Sequence, residues 1–157
     1  MEAHFAQHRA ELDGTKLRAS QIILKLPPNP PAKDVEERKQ RLAVVRKEIL
    51  TKKLVFAEAA QKYSEAPSKL QGGDIGWFPF RGKMPIPFCD AAFQLQPGEI
   101  SEPVVTPFGV HLIFVTDKQT GELTVDDVRD EIVEQISQQL WANAVAEERK
   151  QSPVVVE

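Results

Sequence analysis

The sequence has a single cysteine, Cys89, in 157 residues. That excludes an internal disulfide and any zinc site built from several cysteines, and it leaves the redox compartment open. Beside Phe88, the thiol reads as a small apolar side chain facing a helix contact rather than as a nucleophile. An excess of one charge is also missing: 20 basic against 23 acidic residues leave a formal charge of −3. There is therefore no electrostatic footprint for nucleic acid or an anionic lipid surface. No apolar run reaches the roughly 18 residues a membrane-spanning helix needs, and the N-terminal MEAHFAQHRAELDG is amphipathic and charged, unlike a signal peptide. Those first residues read as the tail of a helix that belongs to something upstream, as in a piece of a larger protein.

At 41% hydrophobic content the chain can build one core with an element or two to spare. His4, Phe5, His8 and Leu12 lie at helical spacing, and Asp13-Gly14 closes that helix. Residues 17–25, LRASQIILK, read as a short strand, stopped by Pro27-Pro28-Asn29-Pro30-Pro31, where fixed φ angles force an extended loop. With Asp34 as its N-cap, Val35, Leu42, Val45 and Ile49 mark an amphipathic helix to about Lys53. A second short helix is expected over 56–63 and a loop over 64–71. Gly72, Gly73 and Gly76 then permit positive φ and close approach, placing Ile75 and Trp77-Phe78 on a short strand. A loop over 84–87, a helix over 88–95, a Pro97-Gly98 turn and strands over 99–106 and 111–117 follow. The expected class is α+β: a four-stranded antiparallel sheet with packed helices, in the order βαααβαββ.

Beyond Lys118, Thr124-Val125-Asp126-Asp127 is a cap signal for a long helix to about Gln151. Its apolar stripe, Val128, Ile132, Ile136, Leu140 and Val145, is longer than a small domain needs to bury. Two readings stay open: the helix folds back on the N-terminal helix, or it docks to a segment outside the chain or to a second copy. Ser152-Pro153-Val154-Val155-Val156 reads as a short strand.

Several chemistries are excluded by pattern. The glycine cluster lacks the spacing and the Lys-Ser/Thr of a phosphate-binding loop. His4 and His8 sit four apart on a helix face but have no third ligand at a sensible spacing, so no metal site is expected. Ser64, Ser68 and His111 suggest a hydrolase triad only until the missing nucleophile elbow is noticed.

What remains is an ordered set of parts. Residues 63–78, YSEAPSKLQGGDIGWF, precede Arg81-Gly82-Lys83-Met84 and Phe88, then an Ala-Ala-Phe helix, a Pro-Gly-Glu-Ile-Ser-x-Pro-Val strand entry, and Thr106-Pro107-Phe108-Gly109-Val110-His111. In this order they resemble the parvulin, or PpiC-type, peptidyl-prolyl cis-trans isomerase domain, over about residues 17–118. The resemblance implies a parvulin-like sheet and an activity on unfolded or partly folded proline-containing polypeptides, with no cofactor and no covalent intermediate. It implies a proline pocket walled by Met84 and Phe88 and completed by Phe78, Ile75 and Phe108, above a polar cluster containing His111 and Thr106. It also implies flanking regions: 1–16 as a helical segment of a chaperone region, and 119–157 as a C-terminal helix and tail docking to absent chaperone segments or a second chain. The setting it points to is the bacterial periplasm or cell envelope.

Two positions depart from the pattern. Arg18-Ala19-Ser20-Gln21-Ile22-Ile23 carries Gln21 where such proteins usually carry histidine, and Tyr63-Ser64-Glu65-Ala66-Pro67-Ser68 carries Ala66 where they carry Cys or Asp. Gln21 can donate and accept hydrogen bonds without taking a charge, so it can orient His111 but not reproduce a charged pair. Glu65 is a poor substitute for the lost acid, because neighbours in an extended segment point opposite ways. A weakened isomerase is expected, with a non-catalytic substrate-binding module of a chaperone as the alternative. KLPPNPPAKD after the first strand leaves Lys25 and Lys33 isolated among prolines, which favours unphosphorylated substrates.

Overall fold

The sheet is organised around the Ile- and Leu-rich segment that follows Gly14. In the computed structural model, which describes residues 2–151, that segment is β1 (Lys16–Lys25). It lies between β2 (Asp74–Pro79) and β4 (Gly109–Gln119), and β3 (Val104–Thr106) pairs with β4 on the far side. The result is a four-stranded antiparallel sheet of order β2-β1-β4-β3. Successive side chains of a strand face opposite ways, so β1 feeds two cores. Leu17 and Ala19 join Ile113, Val115, Phe78 and Phe88, whereas Ile22 and Leu24 join Val110, Leu112, Leu42 and Phe56. Burying one Leu, Ile or Phe is worth about 1.5–3 kcal/mol, so the central strand is held from both faces.

Helices α3 (Ala32–Leu50) and α4 (Phe56–Tyr63) cover the second face with Leu42, Val45, Phe56, Ala59 and Ala60. Helix α5 (Ile86–Phe93) covers part of the first with Phe88, Cys89 and Ala92. Both α3 and α5 begin earlier than the sequence suggests, each immediately after a proline in extended conformation. Asp34 is not the N-cap of α3: Pro31 occupies that position without a side-chain cap, and the Asp34 amide donates to the Pro31 carbonyl at 3.0 Å. A proline with preset φ at a helix entrance does the work assigned to the carboxylate. The expected loop over 64–71 contains a 3-10 helix, Pro67–Gln71, the third helix of the βαααβαββ order. The expected strand over 99–106 shortens to Val104–Thr106, because Ser101 bonds Ile113 through both its amide and its hydroxyl, and Pro103 has no amide to donate.

The N-terminal helix is interrupted at His8, giving α1 (Glu2–Gln7) and α2 (Arg9–Leu12). At the other end, the Asp127 carboxylate accepts from the Thr124 amide at 2.8 Å and its hydroxyl at 2.7 Å, a capping turn that leads into α6 (Arg129–Gln151). Leu12, Val128 and Ile132 are buried together, with Phe5, Val125 and Ile136 packed around them. The stripe thus folds back on the N-terminal helices over its first half, whereas Leu140 is 64% exposed. The strand expected over 152–156 lies outside the described residues.

Gly73 joins the fold to the site. Its φ is +86°, its carbonyl accepts from the Gln21 amide at 2.9 Å, and a Cβ there would run into the Gln21 carbonyl and lie 3.2 Å from the Ala60 methyl. Both the left-handed backbone and the close approach demand glycine. Gly73→Ala is expected to lower stability by about 3 kcal/mol in urea unfolding and to shift the Gln21 side-chain amide resonances. An unchanged midpoint would show that the contact relaxes freely.

Candidate active site

The period of β1 that sends Leu17 and Ala19 into the first core also points Gln21, Ile23 and Lys25 to the same face. α5 covers the near part of that face, and beyond it these three side chains border an open cleft. In the β1–β4 ladder Ile23 stands opposite His111 and Gln21 opposite Ile113, so Gln21 and His111 are diagonal neighbours. The turn Pro107-Phe108 between β3 and β4 swings over them, closed by the Thr106–Gly109 pair. Gly109 permits this because β1 runs so close behind it that a Cβ would strike the Leu24 carbonyl.

At the floor of the cleft a hydrogen-bonded chain crosses the sheet. The Phe108 amide donates to Thr106 Oγ1 at 3.2 Å, and Thr106 Oγ1 lies 2.7 Å from His111 Nε2. His111 Nδ1 lies 3.0 Å from Gln21 Oε1. A neutral imidazole has one N–H, and the Gln21 carbonyl can only accept, so Nδ1 carries the proton and Nε2 receives the Thr106 hydroxyl. Every polar atom of the imidazole is paired, which matters because an orphaned buried group costs about 1–3 kcal/mol. The Phe88 ring meets the imidazole edge-on, centroids 5.4 Å apart, and fixes its plane. His111 is only 2% exposed, and burial lowers its pKa from 6.5 to about 4. It is uncharged at neutral pH.

Above this floor the cleft encloses about 520 Å³. Met84 and Pro85 form one wall, Pro107 and Phe108 another, with Ile23, Leu26, Ala66 and Pro67 between them. Of the residues expected at the site, Gln21, Met84, Phe108 and His111 border the cleft, and Thr106 stands directly behind the imidazole. Phe78, Phe88 and Ile75 do not border it. Phe78 and Phe88 are fully buried in the first core, their ring centroids 5.8 Å apart, and Ile75, displaced by a bulge in β2, packs against the same cluster. Because α5 starts at Ile86, Phe88 falls in its first turn and faces the sheet, where it supports the imidazole from behind. Glu65 is turned away: its amide donates to the Ile23 carbonyl at 2.9 Å and its carboxylate accepts from the Lys25 amide at 2.6 Å. Ile23 and Lys25 were within reach of sequence reasoning, since alternation from Gln21 places them on its face; Pro85 and Lys83 carry no such signal.

Elsewhere, burial pushes the Cys89 thiol up to about 11, leaving it unreactive inside α5. His4 and His8 stack with ring centroids 4.6 Å apart and bond to Gln135 and Glu11. Among the described residues no group of three or more metal-ligating side chains comes together.

A family model described as the rotamase, PPIC-type PPIASE domain matches residues 22–117. The chaperone SurA of Cupriavidus metallidurans is 41% identical over 109 residues, covering 69% of this chain and 21% of that protein. The foldase protein PrsA of a Geobacillus species is 39% identical over 124 residues, covering 78% of this chain and 40% of that protein. The crystal structure of the peptidylprolyl isomerase PrsA from Bacillus anthracis superposes with a TM-score of 0.58 at 26% identity, covering 100% of this chain and 67% of that one. The chain thus spans well under half the length of these two curated relatives.

The buried imidazole makes stability pH-dependent. The unfolded chain takes up a proton near pH 6.5 that the folded chain refuses until about 4, so the contribution is complete above 6.5 and is lost as pH falls toward 4. At 1.36 kcal/mol per pKa unit the loss is on the order of 3 kcal/mol. Urea midpoints measured across this range should fall more steeply for the natural chain than for His111→Gln. Equal slopes, or an imidazole titrating near its ordinary value by NMR, would refute this.

Proposed function

The chain belongs to the PpiC-type peptidyl-prolyl isomerase family, and from that premise we propose that its cleft binds X-Pro segments and catalyses their cis-trans rotation. The observation that carries this reading is the apolar cleft between Met84 and Phe108, closed beneath by the uncharged Thr106–His111–Gln21 chain. Rotation about an X-Pro bond crosses a barrier of ~18–20 kcal/mol because the amide loses its resonance when twisted. The planar amide has a polar carbonyl that water stabilises; the twisted one has less charge on oxygen and a nitrogen that regains its lone pair. A pocket that seats the proline ring against Met84 and Phe108 and strips water from the carbonyl raises the planar forms relative to the twisted one. A neutral floor suits this, since no bond breaks and no full charge develops. His111 and Thr106 shape the floor, and Gln21 holds the imidazole in one tautomer.

A second reading rests on Gln21 and Ala66, both at the cleft: a module that holds proline-containing segments without accelerating their rotation. Gln21 supplies an acceptor but no charge, and Ala66 supplies neither, so the first reading is of a weakened isomerase. In either case residues 17–118 form the working domain. The segments 1–16 and 119–157 connect it to further parts of a bacterial envelope foldase, whose clients are unfolded or partly folded chains.

Exchange NMR on a peptide with one X-Pro bond separates the readings. Isomerase action predicts accelerated exchange by the natural chain and a reduction of about tenfold in Met84→Ala, equivalent to about 1.4 kcal/mol of barrier. Binding without acceleration, with exchange appearing only in Gln21→His or Ala66→Cys, would establish the holding module instead.

A further inference from the structure

The Gln21 carboxamide has two ends, and the hydrogen-bonded floor uses one. Its Oε1 accepts from His111 Nδ1 at 3.0 Å, which leaves an NH2 group with two donors. Among the described residues neither donor has a partner, yet the nitrogen is not sealed inside the protein. β1 is flanked by β2 and β4, so the opening that reaches this nitrogen is the cleft that Gln21 borders. The other donors nearby are committed or remote. His111 has spent its one N–H on Gln21, and the Thr106 hydroxyl gives its proton to His111 Nε2. Lys83 is bonded to the Ile75 and Trp77 carbonyls, and Lys25 lies exposed at the end of β1. The bond that fixes the imidazole tautomer also fixes which end of the amide faces the cleft.

From this arrangement we propose that Gln21 is a catalytic residue whose amide N–H donates to the prolyl nitrogen as the X-Pro bond twists. The inference rests on the proposed isomerase reading of the cleft. In the planar amide the nitrogen lone pair is delocalised into the carbonyl and accepts no hydrogen bond; in the twisted amide it is localised and does. A donor beside that nitrogen therefore stabilises the twisted form alone, which is what acceleration requires. Position favours the nitrogen over the carbonyl. The nitrogen is a ring atom, so a ring seated between Met84 and Phe108 brings it over the floor, whereas the carbonyl belongs to the preceding residue and extends past it. Donation to the carbonyl would favour the planar forms and slow rotation. A neutral donor to a neutral acceptor contributes modestly, about three- to tenfold in rate. Gln21 then does two things at once: its oxygen positions His111 and its nitrogen meets the substrate.

The test follows one X-Pro peptide with the natural chain, Gln21→Glu and Gln21→Met, reading affinity by titration and the exchange rate at saturation separately. Glutamate fills the same space and keeps an oxygen for His111 Nδ1 but has no donor. Methionine, uncharged, loses both ends and controls for the charge of the carboxylate. Both variants should lose about three- to tenfold in saturated rate with affinity held, while the His111 Nδ1 proton stays visible by NMR in Gln21→Glu. A Gln21→Glu chain as fast as the natural one would leave Gln21 a positioning residue and overturn the inference. So would a loss of affinity with an unchanged saturated rate, since that places the donor on the carbonyl. In the natural chain, the Gln21 side-chain amide protons should shift and exchange more slowly with water once peptide is bound; protons that do neither would refute the contact without recourse to a variant. A natural chain that binds the peptide yet leaves its exchange at the uncatalysed rate is a distinct result: the isomerase reading falls, and this inference with it.

Discussion

The antiparallel pairing of β1 with β4 is the constraint on which the rest depends. It is the longest ladder in the sheet, running from Lys16 opposite Gln119 to Lys25 opposite Gly109, with a single register shift after Arg18. Both strands are buried on both faces over their middle residues, so a slip of β1 by one position would send Ile22 and Leu24 to the cleft side and Gln21 into the second core, leaving His111 without its partner. Burying these polar groups unpaired would cost several kcal/mol. The register that satisfies the hydrophobic effect is therefore also the one that brings Gln21 to His111.

The polar floor follows from the same economy of pairing. Each member has a defined donor or acceptor role, and the burial that lowers the His111 pKa keeps it neutral. Replacing a titratable partner by Gln21 preserves this pairing without adding a second charge state. The site consequently offers a fixed tautomer and a constant electrostatic background near neutral pH.

Much of this was legible in the chain. Alternation in LRASQIILK, the glycine cluster and the ordered motifs from Tyr63 to His111 foretold the sheet, its helices and the meeting of His111 with Thr106. What was not legible depends on where helices begin and which way a turn faces. Phe78 and Phe88 lie at pocket positions of the motif but point into the core, Phe78 from β2 and Phe88 from the first turn of α5, which starts at Ile86 rather than at Phe88. Asp34 looked like a cap because carboxylates commonly are, but Pro31 had already set the helix entrance. Lys83 had no local signature: its ammonium bonds the Ile75 and Trp77 carbonyls of the preceding strand where β2 bulges, and no spacing within Arg81-Gly82-Lys83-Met84 encodes that bulge.

Lys16 and Gln119 are paired neighbours, and the Asp13 carbonyl accepts from the Leu123 amide at 3.0 Å just outside them. The chain between Lys16 and Gln119 is thus entered and left through one two-stranded neck. To a surrounding polypeptide, such a unit is topologically equivalent to a tight turn. Inserting or deleting it changes loop-closure entropy only logarithmically with length and leaves the segments on either side nearly where they were. A segment whose two ends meet in this way can change length with little strain on the helices at those ends.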